Sequence, residues 1–350
     1  MNATTTSRFQ IMICHASVGK GFDAYNKARH DCATTLSRLG YQRADLLFPT
    51  GHSPLRNRLG FYRDALRTIN HVARNCPKEV IIQYPLNDRF IPKLLMRYLM
   101  RRCRSARIIL LIHDVDSLRE RARLESYEKS FFNRADLLLV HTPSMEAYLT
   151  DHGVITPMRH LNLFDYYATE APLRSSLDSE SDSIVFAGNL LKSPFLTSLN
   201  TNILSRQLHL YGAVAPDSLP PNSTYQGRFH PDHISDIRGR WGLVWDGTVS
   251  DCAQSTLGDY LRFNASHKAS LYLAARKPII VWSQSAIAPF IVNNNLGIAV
   301  DSLSEIDNCI DSLTSAELTR IAVAVDRQST RLLSGHHLTT ALSPKTPACI

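Results

Sequence analysis

The chain has 350 residues, 44% of them hydrophobic and 20% charged, and its 39 Lys and Arg against 31 Asp and Glu give a formal net charge of +8. That balance excludes a disordered polymer and leaves room for two separate cores, while the lack of any long apolar run excludes spanning helices. The 7 cysteines are scattered without a CxxC pair and the 14 histidines fall in no HExxH-like pattern, so neither a disulfide framework nor a metal site is expected.

The first half alternates strands and helices. Phe9 to Cys14 reads as the opening strand, followed by the loop His15 to Gly21 and a helix from about Phe22 to Leu39. Gly19, Lys20 and Gly21 fit neither GxxxxGK[ST] nor GxGxxG, so Gly19 is read as a place where backbone approaches a ligand closely. Asp45 to Phe48, Glu79 to Tyr84, Arg107 to His113 and Asp136 to His141 are further strands, with helices over Phe61 to Asn75 and Met145 to His152. The strand Arg107 to His113 is the most apolar of this half and delivers His113, Asp114 and Asp116 to its carboxyl end. Between these elements, Lys93 to Arg107 interleaves apolar and basic residues at helical spacing. It reads either as a helix packed on the sheet with a solvated basic face, or as one that docks on an anionic membrane. No helix-turn-helix, zinc-finger or RNP-like pattern accompanies the charge, so nucleic acid is not an expected partner.

Thr169 to Ser183 is rich in Ser, Asp, Glu and Pro, which marks a linker. The expected organisation is therefore a domain over 1–168, a linker over 169–183, a second domain over 184–335 and a flexible tail over 336–350 that includes His336 and His337. In the second half, Ser183 to Ala187 is a strand whose loop carries Gly188, Asn189 and Lys192. Gln207 to Tyr211 reads as the following strand, and Tyr225 to Phe229 leads on toward the next unit. Gly242 to Trp245 is a buried strand stopped by Asp246 and Gly247; His267, Lys268 and Ser270 open a helix that Pro278 ends, and Ile279 to Trp282 is the next strand. Ser304 to Leu313 and Ala316 to Leu333 read as helices. Periodicity and order give an α/β chain with two domains, and ligands of open α/β sheets bind at the carboxyl ends of the strands. A helix opening with Asn264, Ser266, His267, Lys268 and Ser270 suits a diphosphate, because unpaired N–H groups and the dipole there favour an anion. The plainer alternative is that Asn264 or Ser266 caps the helix and Lys268 is a surface charge.

From Gly242 to Val300 the chain resembles the bacterial sugar transferases that include beta-1,6-galactofuranosyltransferases and the glucosyltransferases acting on adhesin glycans. The resemblance is carried by Val244-Trp245-Asp246-Gly247, by Gly258-x-Tyr260-Leu261-x-Phe263-Asn264-x-x-His267-Lys268-x-Ser270, and by Pro278 to Trp282. Weaker echoes are Lys27-Ala28-Arg29-x-Asp31, Gln83-Tyr84-Pro85, His113-Asp114, Phe164-Asp165-Tyr166 and Phe186 to Ser193. Where the family usually has Pro before its His-Lys pair, this chain has Ser266.

The resemblance implies the GT-B fold, two Rossmann-like domains facing each other across a cleft, with the nucleotide-sugar on the second domain and the acceptor on the first. It implies an inverting, metal-independent hexosyltransferase using a UDP-sugar as donor substrate, with no cofactor. The acceptor would be a saccharide or lipid-linked glycan in surface polysaccharide synthesis, handled in the cytoplasm or at the inner face of the plasma membrane. Homo-oligomers also fit this class. On this reading Asp114 is the first candidate for the catalytic base, with His113 orienting it or the acceptor and Asp31 in reserve, although Asp114 also reads as a helix cap. Lys192 and Lys268 are expected on the phosphates, Gly19, Gly188, Asn189, Tyr260, Asn264, His267 and Ser270 around the nucleotide or its loops, and Asp246 on the sugar. Two rival readings are an inactive nucleotide-sugar-binding subunit and an epimerase of the same architecture, which would need no acceptor.

Overall fold

A computed structural model of the chain describes residues 7–15, 24–48, 55–86, 90–121, 123–170, 182–215 and 218–343. Six strands form the first sheet: β1 (Arg8–His15), β2 (Gln42–Phe48), β3 (Glu79–Tyr84), β4 (Arg107–Ile112), β5 (Leu137–Val140) and β6 (Met158–His160). Their order is β2-β1-β3-β4-β5-β6 and every pairing is parallel. The second sheet holds β7 (Ile184–Ala187), β8 (Leu208–Tyr211), β9 (Ser223–Gly227), β10 (Trp241–Val244), β11 (Ile279–Trp282) and β12 (Gly297–Val300), in the order β12-β11-β10-β7-β8-β9, again all parallel.

The central strands are buried on both faces, which is why they read in the sequence as unbroken apolar runs rather than alternations. In β4 every residue after Arg107 is buried, and all four residues of β5, β7, β10 and β11 are. Gly242 in β10 is forced by packing, since a Cβ there would lie 2.3 Å from Cγ of Tyr272. That close approach lets the helix His267–Ala274 lie flat on the strand, and the Tyr272 hydroxyl accepts the Ala187 N–H at 2.7 Å. The helix is thereby pinned to both β7 and β10, the two strands between which the second sheet reverses its winding. Such a reversal opens a crevice at the strand ends.

Two expectations are corrected. The basic helix runs over Phe90–Arg102 and stops before 103–106, which turn into β4, so it is shorter than the expected 93–107. The tail expected over 336–350 is helical over His336–Leu342. Gly335, at φ 80°, ends the long helix Ser315–Ser334 and turns the chain back onto the first half, where Leu338 and Ala341 join the core of Leu36, Ile109, Leu139 and Phe164. Asp165 accepts the N–H groups of His337 (2.9 Å) and Leu338 (3.0 Å), and Arg159 donates to the carbonyls of Ala341 and Ser343 at the other end. Burying Leu338 alone is worth about 2 kcal/mol. His337 is buried rather than exposed: its ring bonds Gln328 at 2.6 Å and the Leu161 carbonyl at 3.0 Å. The chain thus crosses between the two sheets twice. Most of the linker expected over 169–183 and residues 344–350 lie outside the described residues. No described helix is long and apolar enough to cross a membrane.

Candidate active site

The crevice at the carboxyl ends of β7 and β10 opens into a cavity of about 490 Å³. Its floor is the loop after β7, from Ala187 to Leu191, together with His267, Lys268 and Leu271 from the helix that follows β10. Gly212 lies at the end of β8 beneath that loop. A Cβ there would come within 2.7 Å of the Leu190 side chain and 2.8 Å of the Gly188 carbonyl, so the loop can sit low only because residue 212 is glycine. Tyr211, Val214, Arg228 and Phe229 form one wall; Lys27 and Tyr166 come from the first half and from the segment that follows it.

Lys268 crosses the mouth of the switch point. Its Nζ lies 3.3 and 3.5 Å from the two carboxylate oxygens of Asp246, 3.4 Å from the Trp245 carbonyl and 4.7 Å from the centre of the Phe186 ring. A Cβ on Gly188 would stand 3.1 Å from its Cε, so the glycine gives the lysine stem its path. The capping alternative is not what the structure has: Ser266 occupies the N-cap position with no side-chain hydrogen bond to the helix. Asn264 Oδ1, His267 Nε2 and Ser270 Oγ are all buried without a hydrogen-bond partner, three unmet polar atoms within two turns of chain. Burial, with the Lys27 charge adding to it, holds the His267 imidazole down at about 3, so the ring is neutral and works as a hydrogen-bonding group rather than a cation.

The segment leading into that helix is fixed on the first half. Tyr260 is buried among first-half residues and its hydroxyl accepts the Val115 N–H at 3.1 Å. Thr142 Oγ1 donates to the Phe263 carbonyl at 2.7 Å, and His141 Nδ1 accepts the Ala265 N–H at 3.0 Å while its Nε2 donates to the Ile112 carbonyl at 3.0 Å. His141 can serve both bonds only as the neutral ring, and burial keeps it so by pushing its titration down to about 4. The helix carrying Lys268 is therefore positioned by its own sheet and by the facing one.

On the first half, Lys27 reaches across. It bonds Asp31 Oδ1 and the Tyr167 carbonyl, both at 2.6 Å, and Asp232 of the second half at 2.9 Å, with its Nζ 4.7 Å from the Tyr166 ring. Burial raises Asp31 to about 7 against the pull of Lys27, and its other oxygen accepts the Tyr167 N–H at 3.1 Å, so both oxygens are engaged. Asp114 stands at the end of β4, its side chain 18% exposed, 2.9 Å from Arg119 Nη1 and within reach of the Tyr260 hydroxyl. Burial raises its titration above the ordinary carboxylate range although Arg119 opposes this. His113 Nε2 bonds Gln83 Oε1 at 2.8 Å, and its ring stacks on Phe164 at 5.2 Å, which in turn lies 6.2 Å from His267.

Of the residues expected at the site, Gly188, Asn189, His267 and Lys268 line the cavity and Asp246 pairs with Lys268 at its edge. Asn264 and Ser270 lie under the same helix start. Tyr260, His113 and Asp114 gather at the junction of the two halves instead, and Asp31 stands behind Lys27. Lys192 is exposed and does not line the cavity; it follows Leu190 and Leu191 in a short helical turn that aims it outward. Gly19 lies outside the described residues. Lys27, Tyr166, Arg228 and Phe229 were not expected here, although the Lys27-x-x-x-Asp31 spacing places two opposite charges on one helix face.

Two parallel sheets in two domains, with a crevice at the switch point of the second, form the GT-B fold. Solved structures of that fold agree: a trehalose-6-phosphate synthase OtsA matches with a TM-score of 0.56 at 11% identity over 95% of this chain and 98% of that one. The alpha,alpha-trehalose 6-phosphate synthase of Burkholderia multivorans matches with a TM-score of 0.53 at 12% identity over 96% and 95%. The chain belongs to the Glucosyltransferase 3-like family, whose N-terminal domain model matches residues 10–163 and C-terminal domain model residues 184–344. It is 29% identical over 241 residues to beta-1,6-galactofuranosyltransferase WbbI of Escherichia coli (strain K12), covering 67% of this chain and 70% of that one. Against Glucosyltransferase 3 of Streptococcus gordonii it is 26% identical over 236 residues, covering 66% and 68%.

Proposed function

We propose that this glycosyltransferase moves a hexose, galactofuranose or glucose or galactose, from a UDP-sugar to a saccharide acceptor in the synthesis of a bacterial surface glycan. The observation that carries the donor side is the cavity floored by Gly188 and Lys268, where a small loop, a helix start and one cation converge on a space of nucleotide size. The diphosphate would lie over the Gly188 loop against Lys268 Nζ, displacing Asp246 from the lysine and leaving that carboxylate for sugar hydroxyls. Lys27 supplies the second positive charge from the facing wall. With those two cations and the helix start the leaving diphosphate needs no metal on this reading.

The acceptor oxygen forms its bond to the anomeric carbon as the bond from that carbon to the phosphate oxygen breaks, the electron pair leaving with UDP. A single displacement inverts the centre. The acceptor proton goes to a carboxylate, and we assign it to Asp114, whose side chain keeps some exposure beside Arg119, over Asp31, which is more deeply buried with both oxygens engaged by Lys27 and the Tyr167 N–H. An acceptor carried on lipid would bring the reaction to the inner face of the plasma membrane.

The donor half is tested by heat. UDP at one hundred times its Kd stabilises the folded state by about 2.7 kcal/mol, so the melting temperature rises by several degrees and the rise survives EDTA. No shift at millimolar UDP, or a shift that EDTA abolishes, contradicts the reading.

A further inference from the structure

The excess positive charge of the chain is concentrated on one surface that the sugar chemistry does not use. The helices Leu55–Arg74 and Phe90–Arg102 pack side by side on the same face of the first sheet, burying Phe61, Ala65, Ile69 and Val72 from one and Leu95, Met96 and Leu99 from the other. The Tyr98 hydroxyl bonds Asn70 across the seam. Their outer sides carry Arg63, Arg67 and Arg74 on the first helix and Lys93, Arg97 and Arg101 on the second, all exposed, with Arg104 just beyond. The spacings 63-67-74 and 93-97-101-104 keep each set on one stripe. Against these stands Asp64, which pairs with Arg63 and Arg67; no ion pair among the described residues involves Arg74, Lys93, Arg97, Arg101 or Arg104. Within the basic field two large apolar side chains face outward, Leu66 at 41% and Met100 at 48% exposed.

We propose that this two-helix face docks the enzyme on an anionic lipid surface, the cations meeting headgroup phosphates while Leu66 and Met100 enter the boundary of the acyl layer. The charge pattern alone would serve a nucleic acid as well. The apolar pair decides between them, because a phosphate backbone has nothing to receive an outward Leu and Met, whereas an interfacial helix presents cations around an apolar centre. The face belongs to the half that holds Asp114, so docking would bring that half toward acceptors held in the membrane; for this purpose, though not for its geometry, the proposal rests on the glycan-synthesis reading.

The test is sedimentation of the full chain with vesicles of phosphatidylcholine alone or mixed with phosphatidylglycerol. Binding is expected to the mixed vesicles and to fall as salt rises, since attraction between exposed charges is screened over about 10 Å at 0.1 M. Each cation near an anionic surface contributes roughly fivefold to partitioning, so R67Q/R97Q/R101Q lowers it by about 10²-fold. Leu66→Ser with Met100→Ser lowers it by roughly tenfold or more. These side chains are exposed, and an unchanged melting temperature confirms that the variants fold. Equal binding to neutral vesicles, binding to neither, a triple variant that binds like the parent, or preferential capture by double-stranded DNA overturns the proposal. Transfer to a water-soluble acceptor, followed in the same preparations, separates the two claims: vesicle binding without any transfer contradicts the assigned reaction and leaves the face standing, and transfer without vesicle binding does the reverse. All the variants should transfer to the soluble acceptor at the parent rate.

Discussion

Asp114→Asn cuts transfer by roughly 10²-fold to 10⁴-fold, the range for losing a general base, and leaves UDP affinity nearly unchanged. The asparagine keeps the shape and can still accept from Arg119 and Tyr260, but it cannot take the acceptor proton. The position suits the role. Asp114 follows the most apolar strand of the first sheet, is held by Arg119 at 2.9 Å and faces a segment of the second half through Tyr260. Burial raises its titration, which makes the carboxylate a stronger base than one in water. The sign follows: the ionised form is lost as pH falls through a point above the ordinary carboxylate range, so the parent shows an acid limb there. That limb should vanish from the residual activity of the variant. If Asp114→Asn instead lowers the melting temperature with transfer per folded molecule unchanged, the residue is a structural partner of Arg119 and the base must be sought elsewhere on the first half.

Lys268→Ala lowers turnover by roughly 10²-fold or more, the usual loss for one preorganised stabilising group. Breaking the sugar–phosphate bond gathers negative charge on the departing diphosphate, so a cation at that place is worth more in the transition state than in the ground state. UDP affinity should therefore fall by less than turnover does. The fold should survive, because Asp246 is partly exposed and water can replace its partner. Parent turnover in the folded variant would reduce Lys268 to a surface ion pair with Asp246.

Strands buried on both faces were the most legible part of the chain. The runs Ile108 to Ile112, Ile184 to Ala187 and Ile279 to Trp282 carry a parallel sheet in their composition alone, whereas β6, Met-Arg-His at the sheet edge, has no apolar signature and was not foreseen. The helix His336–Leu342 reads as a tail in the sequence because what makes it a helix is distant: its apolar side is received by residues as far away as Cys32 and Leu36, and its first N–H groups by Asp165. The candidate site divides along the same line. Gly188, His267 and Lys268 are legible because a strand end, a glycine loop and a helix start are local features. Lys27 becomes a wall of the cavity through partners far along the chain, the Tyr167 carbonyl and Asp232, and Lys192 leaves it because the turn begun at Leu190 carries its side chain outward.

On the proposed function, a nucleotide-sugar bound over Gly188 and Lys268 gives up its sugar to a separate acceptor. Incubating the protein with a panel of UDP-sugars, each with and without lipid-linked and simple glycoside acceptors, and following both UDP and acceptor by mass spectrometry tests it most directly. One hexose is expected on an acceptor, with an equal amount of UDP released, only when both substrates are present and equally in EDTA. Conversion of one UDP-sugar into another without an acceptor, or binding of the nucleotide-sugar with no product from any pair, would contradict it.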